Sequence, residues 1–286
     1  PLSKASQKYT GDADELCVPR STEKETWDFV IEELKLAAEL LPETRTGADS
    51  RFANKYVALG ILSRASLFAA SIAKYGNKVK FEGLAADQKL VGIDAEYAND
   101  YYQACIDASK QIIDSGRYSL HGANPANKQE AIDNLMEMFQ NPNVAPEECM
   151  FICGYAPNGL GHSIELWTPP YQTRENSPHP GFFQPSIDLV DNYECYSRPG
   201  EDGNLETRED GNMGNAGYDP DAKYLHFTNA YDIFEDKDAR LWSAVILPFT
   251  EWKGKTIRIQ NGFILEDGTP DIGGEATTAT KDGVTY

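Results

Sequence analysis

The side chains able to do chemistry in this sequence are plentiful but scattered. Its four histidines, His121, His162, His179 and His226, stand at no metal-ligand spacing from one another, and each reads as a surface or turn residue rather than a zinc ligand. No phosphate-cradling glycine loop, dinucleotide fingerprint or His-Glu-x-x-His site occurs. The nearest imitation of such motifs, Gly159-Leu160-Gly161-His162-Ser163, lacks the final glycine and opens no obvious helix. Paired carboxylates could serve a glycosidase, which needs two acids about 5 to 10 Å apart. Glu147 with Glu148 and Asp236 with Asp238 are such neighbours, but a chain with 45 acidic residues places acids side by side by chance, and a solvated acidic face explains them equally well. The tract from Gly200 to Asp221 offers Asp202, Asn204, Glu206, Asp210 and Asp219 as oxygen donors for Ca²⁺. Their order fits no defined calcium loop, and a solvated loop is the competing reading. No other cofactor is expected. The five cysteines, Cys17, Cys105, Cys149, Cys153 and Cys195, are odd in number and irregular in spacing, which argues against a disulfide framework.

One stretch concentrates a different chemistry. Asn158 to Phe183 mixes aromatic rings with planar hydrogen-bonding groups and shows no helical period: His162, Glu165, Trp167, Tyr171, Gln172, Arg174, Glu175, Asn176, His179, Phe182 and Phe183. Flat rings beside amide, guanidinium and carboxylate groups make a binding surface rather than a catalytic centre. The packing alternative is that Trp167 anchors a turn at Pro169-Pro170 while Phe182 and Phe183 plug a core.

The charge balance narrows the partners. With 26 Lys plus Arg against 45 Asp plus Glu, the formal net charge is −19, a field that repels phosphate backbones and anionic headgroups, so nucleic acid is excluded as a partner. No uninterrupted run approaches the roughly 20 apolar residues that a transmembrane helix needs.

The elements that must carry these side chains are legible in the first 120 residues. Thr22-x-x-Glu25 matches a capping box, and Trp27, Val30, Ile31, Leu34, Ala37, Ala38 and Leu41 follow at three- and four-residue steps until Pro42 stops them. A second helix places Val57, Ile61, Ala65, Phe68, Ile72 and Tyr75 on one face and Leu59, Leu62, Ala69 and Ala73 on the next. That wide apolar arc predicts a helix sandwiched between neighbours and ended at Gly76. A third, from about Tyr97 to Ser115, carries Tyr102, Cys105 and Ile112 and stops at Gly116. Beyond Leu120 the helical period weakens. A strand is expected at Met150 to Tyr155, a strand pair at Thr256 to Ile259 and Gly262 to Ile264 around Gln260-Asn261, and a short helix between Ser186 and Tyr193.

Six segments, in order, resemble the SusD/RagB family of outer-membrane nutrient-binding lipoproteins. Arg20-Ser21-Thr22 with the helix from Trp27 to Pro42 is similar to the family's first signature, and Arg51, Lys55, Ala58, Leu59 and Arg64 to Ala70 to its second. Tyr101-Tyr102, Ala104, Ala108 and Ile112 to Leu120 resemble its third. Glu147 to Ile152, Pro185 to Tyr193, and Asp236-x-Asp238-Ala239-Arg240-Leu241 resemble later markers, with Ala145-Pro146 standing where the family has an asparagine-led turn.

The resemblance implies a mainly α fold: a SusD-like α-superhelix of divergent tetratricopeptide-like helical hairpins over 1–120, and a loop-rich region with a few short β-strands over 121–286 that carries the site. It also implies non-catalytic binding of oligo- or polysaccharide at the extracellular face of the outer membrane and delivery to a SusC-like TonB-dependent porin. The family's lipid anchor and flanking segments lie outside this sequence, which on this reading is truncated at both ends. The expected glycan contacts are Trp167 and Tyr171 as leading platforms, with Arg174, Asn176, His162 and Phe183. A tetratricopeptide-like scaffold for protein partners and a glycoside hydrolase are the alternative functions.

Overall fold

The computed structural model describes residues 17–47, 52–141, 147–152, 161–174, 180–210 and 221–259, four two-residue strands beyond these, and positions 2, 6, 8, 11 and 155 singly. The fold is mainly helical, as the sequence predicts. It divides into two compact units, 1–121 with 145–153, and 122–144 with 154–286.

The first unit is built on α1 (Glu23–Leu40), α2 (Lys55–Tyr75), the single turn α3 (Leu84–Asp87) and α4 (Ala98–Asp114). The predicted capping box opens α1: the Thr22 hydroxyl accepts from the Glu25 amide at 3.1 Å and the Glu25 carboxylate accepts from the Thr22 amide at 2.9 Å. The Asn54 side chain caps α2 by accepting from the amides of Tyr56 and Val57. Gly116, at φ +63°, ends α4 in the left-handed conformation expected of it. Gly76 does not play that part. Its φ is −58°, and the chain runs on into a 3-10 turn, Gly76–Lys78.

Helix α2 lies between α1 and α4, but the face it buries is the narrow one. Leu59, Leu62, Ala69, Ala70 and Ala73 are buried, whereas Ile61 is 50% and Phe68 59% exposed. The expected enclosure therefore covers only part of the apolar arc, because both neighbours pack on the small residues, where backbones approach most closely. By length and hydropathy α2 would pass for a membrane-spanning helix, yet half of its apolar window is buried against its neighbours, as in the core helix of a helical unit. Polar bonds fix the contacts. Ser63 Oγ meets Ser109 Oγ at 2.8 Å between α2 and α4, and the buried Tyr101 hydroxyl donates to Asp28 at 2.7 Å, joining α4 to α1. Ser66, fully buried in α2, has a hydroxyl with no hydrogen-bond partner.

The second unit contains α5 (Lys128–Gln140), the short helices α6 (Ile164–Trp167), α7 (Ile187–Asp191) and α8 (Ala239–Ala244), and the hairpins β1 (Glu251–Trp252) with β2 (Lys255–Thr256), β3 (Phe263–Ile264) with β4 (Pro270–Asp271), and β5 (Thr280–Lys281) with β6 (Val284–Thr285). Helix α5, which the sequence reading missed, packs on α8. Its signals are an Asn127 cap accepting from the Glu130 amide at 3.0 Å and Ile132, Leu135, Met136 and Phe139 at helical spacing.

Two strand expectations fail. Met150, Phe151 and Ile152 form no strand, and Cys153 and Gly154 lie outside the described residues. Thr256 pairs with Glu251 rather than with a partner beyond Gln260 and Asn261, which also lie outside. The two-residue turn Lys253-Gly254 has φ +49° and +72°, the left-handed pair that closes a tight hairpin, and it captures β2 for β1 before a later strand can pair.

Lys237 organises this unit. It is 1% exposed, and its ammonium donates to the backbone carbonyls of Tyr193 at 2.8 Å, of Asp191 at 3.4 Å, and of Gly203. Burial lowers its pKa from the ordinary lysine value, against the opposite pull of Cys195 and Asp191. Gly203 is obligatory in this cage, since a Cβ there would stand 1.9 Å from the Tyr193 carbonyl oxygen. The next residue, Asp238, caps α8 by accepting from the Arg240 amide at 2.8 Å.

Two stability changes follow. Ser66→Ala removes an unsatisfied hydroxyl from the core and should stabilise the chain by about 1 kcal/mol, read from the urea midpoint. Lys237→Met should destabilise it by about 3 kcal/mol or more, because the carbonyls of Asp191, Tyr193 and Gly203 lose the ammonium they share. The folded state holds the lysine proton less tightly than the unfolded chain does. The unfolded chain thus binds more protons as pH climbs toward the unfolded value of 10.5, and the deficit of Lys237→Met relative to the parent should widen on that approach.

Candidate functional site

The non-periodic aromatic stretch folds as a return loop in the second unit. Its two arms are joined by backbone bonds in antiparallel register, the Phe183 amide donating to the Trp167 carbonyl at 3.1 Å and the Gly181 amide to the Pro169 carbonyl at 2.8 Å. This register sets Trp167 among two rings, with centroids 5.1 Å from Phe182 and 6.2 Å from Phe183, all tilted edge to face. Phe182 and Phe183 are 65% and 62% exposed, so they form a surface cluster and do not plug a core. Trp167 is the half-buried base of that cluster, and Pro169 beneath it is buried.

The other leading platform sits on the 3-10 turn Tyr171–Thr173. Its ring is 67% exposed, with the Arg174 guanidinium 4.2 Å from its centroid. The turn is clamped to the β1–β2 hairpin from both sides of one residue. The Gln172 amide group donates to the Arg258 carbonyl at 2.6 Å, and the Lys255 ammonium donates to the Gln172 carbonyl at 2.8 Å. Thr173, buried behind the turn, donates its amide to the Pro170 carbonyl at 3.0 Å. A rigid base thus carries a loop whose rings face solvent.

His162 precedes α6, is exposed, and packs edge to face on Tyr155 with centroids 4.7 Å apart. The structure therefore brings the expected residues together in three groups: Trp167 with Phe183, Tyr171 with Arg174, and His162 with Tyr155. Asn176 lies outside the described residues, as do Glu175 and His179. Two members of this surface escaped the choice of glycan contacts. Phe182 stands in the same stretch, and Tyr155 lies just before it.

The carboxylate pairs are committed elsewhere. Glu147 accepts from His121 at 3.1 Å, and hydrogen bonding from its own backbone amide and then from His121 holds it below the usual carboxylate range. Asp236 accepts from the amide and the hydroxyl of Ser197. Burial would raise the Asp238 carboxyl, but the Arg240 side chain at 2.5 Å and the amides of Arg240 and Leu241 bring it below its ordinary value.

The acidic tract also turns inward to a protein cation. Arg198 donates to the Asn204 carbonyl at 3.0 Å and stands 3.7 Å from Asp202 and 4.0 Å from Glu206, the place where the calcium reading put a metal ion. Among the described residues no three His, Cys, Asp or Glu side chains gather as metal ligands; Asp219 lies outside them.

The first unit has a concavity of its own, an apolar groove of about 780 Å³ lined by Trp27, Ile61, Arg64, Phe68, Met150 and Phe151. It forms along the Ile61–Phe68 side of α2, where Trp27 of α1 makes one wall.

No family model and no curated protein matches this sequence. Among solved structures, the chain is similar to a SusD-like protein from Bacteroides fragilis, with a TM-score of 0.50 and 19% identity over 79% of this chain and 35% of that one. The likeness shows a SusD-like fold. The chain spans about a third of that protein's length, 35%.

The two platforms differ in what their loss should do to folding. Trp167→Ala removes the base of a three-ring cluster and should cost about 2 kcal/mol, whereas Tyr171→Ala, at an exposed ring, should stay within about 0.5 kcal/mol of the parent; chemical denaturation of both variants checks the contrast.

Proposed function

We propose that this chain is a non-catalytic carbohydrate-binding protein that captures oligo- or polysaccharide at the bacterial cell surface, lipid-anchored at the outer membrane in its full-length form, and passes it to a SusC-like TonB-dependent porin. The observation that carries this reading is the exposed aromatic loop. Sugars present apolar C–H faces and hydroxyl edges, and Phe182, Phe183 and Tyr171 offer rings of matching character beside the hydrogen-bonding groups of Arg174 and His162. Its clamp on the β1–β2 hairpin supplies the preorganisation that weak stacking contacts need. The SusD-like fold and the six family-like segments support the same reading. Absence of catalysis is supported by the acids themselves, since the neighbouring pairs cap, pair with or brace parts of the fold.

A scaffold role for the helical unit is the second reading, favoured by the uncovered apolar groove on α2. The two place binding on different units, so substitutions separate them. Tyr171→Ala with Phe182→Ala should lower retention on a glycan-containing gel by about tenfold while melting stays within a few degrees, and Ile61→Ser should leave retention unchanged. Release of reducing ends from the retained polysaccharide would overturn the non-catalytic reading.

A further inference from the structure

The glycan-binding reading leaves the charge of the ligand open, and the local electrostatics of the aromatic loop bear on it. Across 167–174 and 251–258, the described residues include four cations, Arg174, Lys253, Lys255 and Arg258, against one carboxylate, Glu251, which is occupied in bonding the Thr256 hydroxyl. This is the reverse of the chain as a whole, where 45 acids outnumber 26 bases.

Some bases elsewhere find carboxylates, Arg117 lying 3.0 Å from Glu43, Lys89 2.7 Å from Asp94 and Arg240 2.5 Å from Asp238, while Lys128 and Lys237 meet backbone carbonyls. Among the described residues, Arg174 has the Tyr171 ring as its side-chain partner, and Lys255 has the Gln172 carbonyl; neither is in an ion pair. Both meet the same clamped turn, Arg174 at its exposed ring and Lys255, from β2, at its backbone.

A neutral sugar can accept hydrogen bonds from Arg174 but makes no use of its charge, because hydroxyls are satisfied equally well by neutral amides. An anionic ligand approaching a chain of net charge −19 is repelled everywhere except where bases prevail, so local cations are what would let it dock. Stacking on Tyr171 holds the Arg174 guanidinium as a plane, and its edge donors match the oxygens of a carboxylate or sulfate.

We infer that the ligand of this surface is an acidic glycan, bearing carboxylate or sulfate groups, whose anion docks on Arg174 beside the Tyr171 ring. The inference rests on the glycan-binding reading and adds the substrate class.

Isothermal titration of the whole chain with four polymers tests it: polygalacturonate and its carboxyl-reduced neutral form, and a sulfated galactan and its desulfated form. At least one acidic polymer should bind about tenfold more tightly than its neutral counterpart, and the preferred pair identifies the anion as carboxylate or sulfate. That preference should shrink as NaCl rises from roughly 50 to 500 mM. Arg174→Gln should abolish it with the melting temperature unchanged, and Arg174→Lys should keep part of it. Equal affinity for acidic and neutral members, or a preference that survives in Arg174→Gln, overturns the inference and leaves glycan capture standing. Binding of none of the four and of no other polysaccharide overturns both. Should Arg174→Gln fail to fold, the paired polymers and the salt series on the parent chain still decide.

Discussion

The ammonium of Lys237 holds three backbone carbonyls that have no other donor in common, and the geometry of the second unit depends on that convergence. The carbonyls belong to the end of α7, to the residues just after it, and to the start of the acidic tract, so one side chain joins three segments with little regular structure among them. Its neighbour Asp238 opens α8, whose Leu241 packs with Val190, Leu205 and Leu247 in the unit's small core. From Leu247 the chain turns into the β1–β2 hairpin, with the Thr250 amide bonded to the Leu247 carbonyl and the Ile257 amide to that of Thr250. The hairpin then clamps Gln172. Hydrogen bonds and packed side chains thus run from a buried lysine to an exposed aromatic turn.

That a charge rather than an apolar side chain occupies the cage has a physical reason. Three carbonyl oxygens pointing at one another repel, and only a donor with several hydrogens in a small volume can bind all three. An ammonium does so at the cost of its own desolvation, which is why its proton is held less tightly than in water. Gly203 completes the arrangement, for any larger residue would fill the space that the oxygens need. Arg198 repeats the device beside it with the Asn204 carbonyl and two acids. A sequence-level eye sees a calcium-like run of acids there. The fold supplies the positive charge from within.

The helical half was legible to the extent that its signals are local. The capping box at Thr22 and the stop at Gly116 each act within a few residues and appear where the sequence puts them. Which face of α2 would be buried was not legible, because its apolar arc is wider than two neighbours cover, and the choice between the alanine face and the Ile61-Phe68 face is made by close approach of α1 and α4. The β1–β2 pairing was hidden for a related reason. Lys253 carries no turn signature, and its left-handed conformation follows from the hairpin around it. The aromatic loop was legible as a non-periodic concentration of rings, but not the grouping of its rings, which depends on the register between 167–169 and 181–183.

Half-exposed rings occur in both units. In the first unit Trp27 packs 5.4 Å from Phe68 on the wall of an apolar groove, continuous with the core it borders. Contacts of that kind follow from the hydrophobic effect and need no ligand to explain them. Phe182, Phe183 and Tyr171 remain in water although Pro169 and Thr173, small and next to them in the chain, are buried. Folding could have hidden the rings and exposed the small residues. The clamp on Gln172 and the bonds at Trp167 and Pro169 fix the opposite outcome, which costs the exposed apolar area of three rings and is recovered only if something covers them. Local hydrogen bonding, rather than burial of apolar area, therefore sets that orientation.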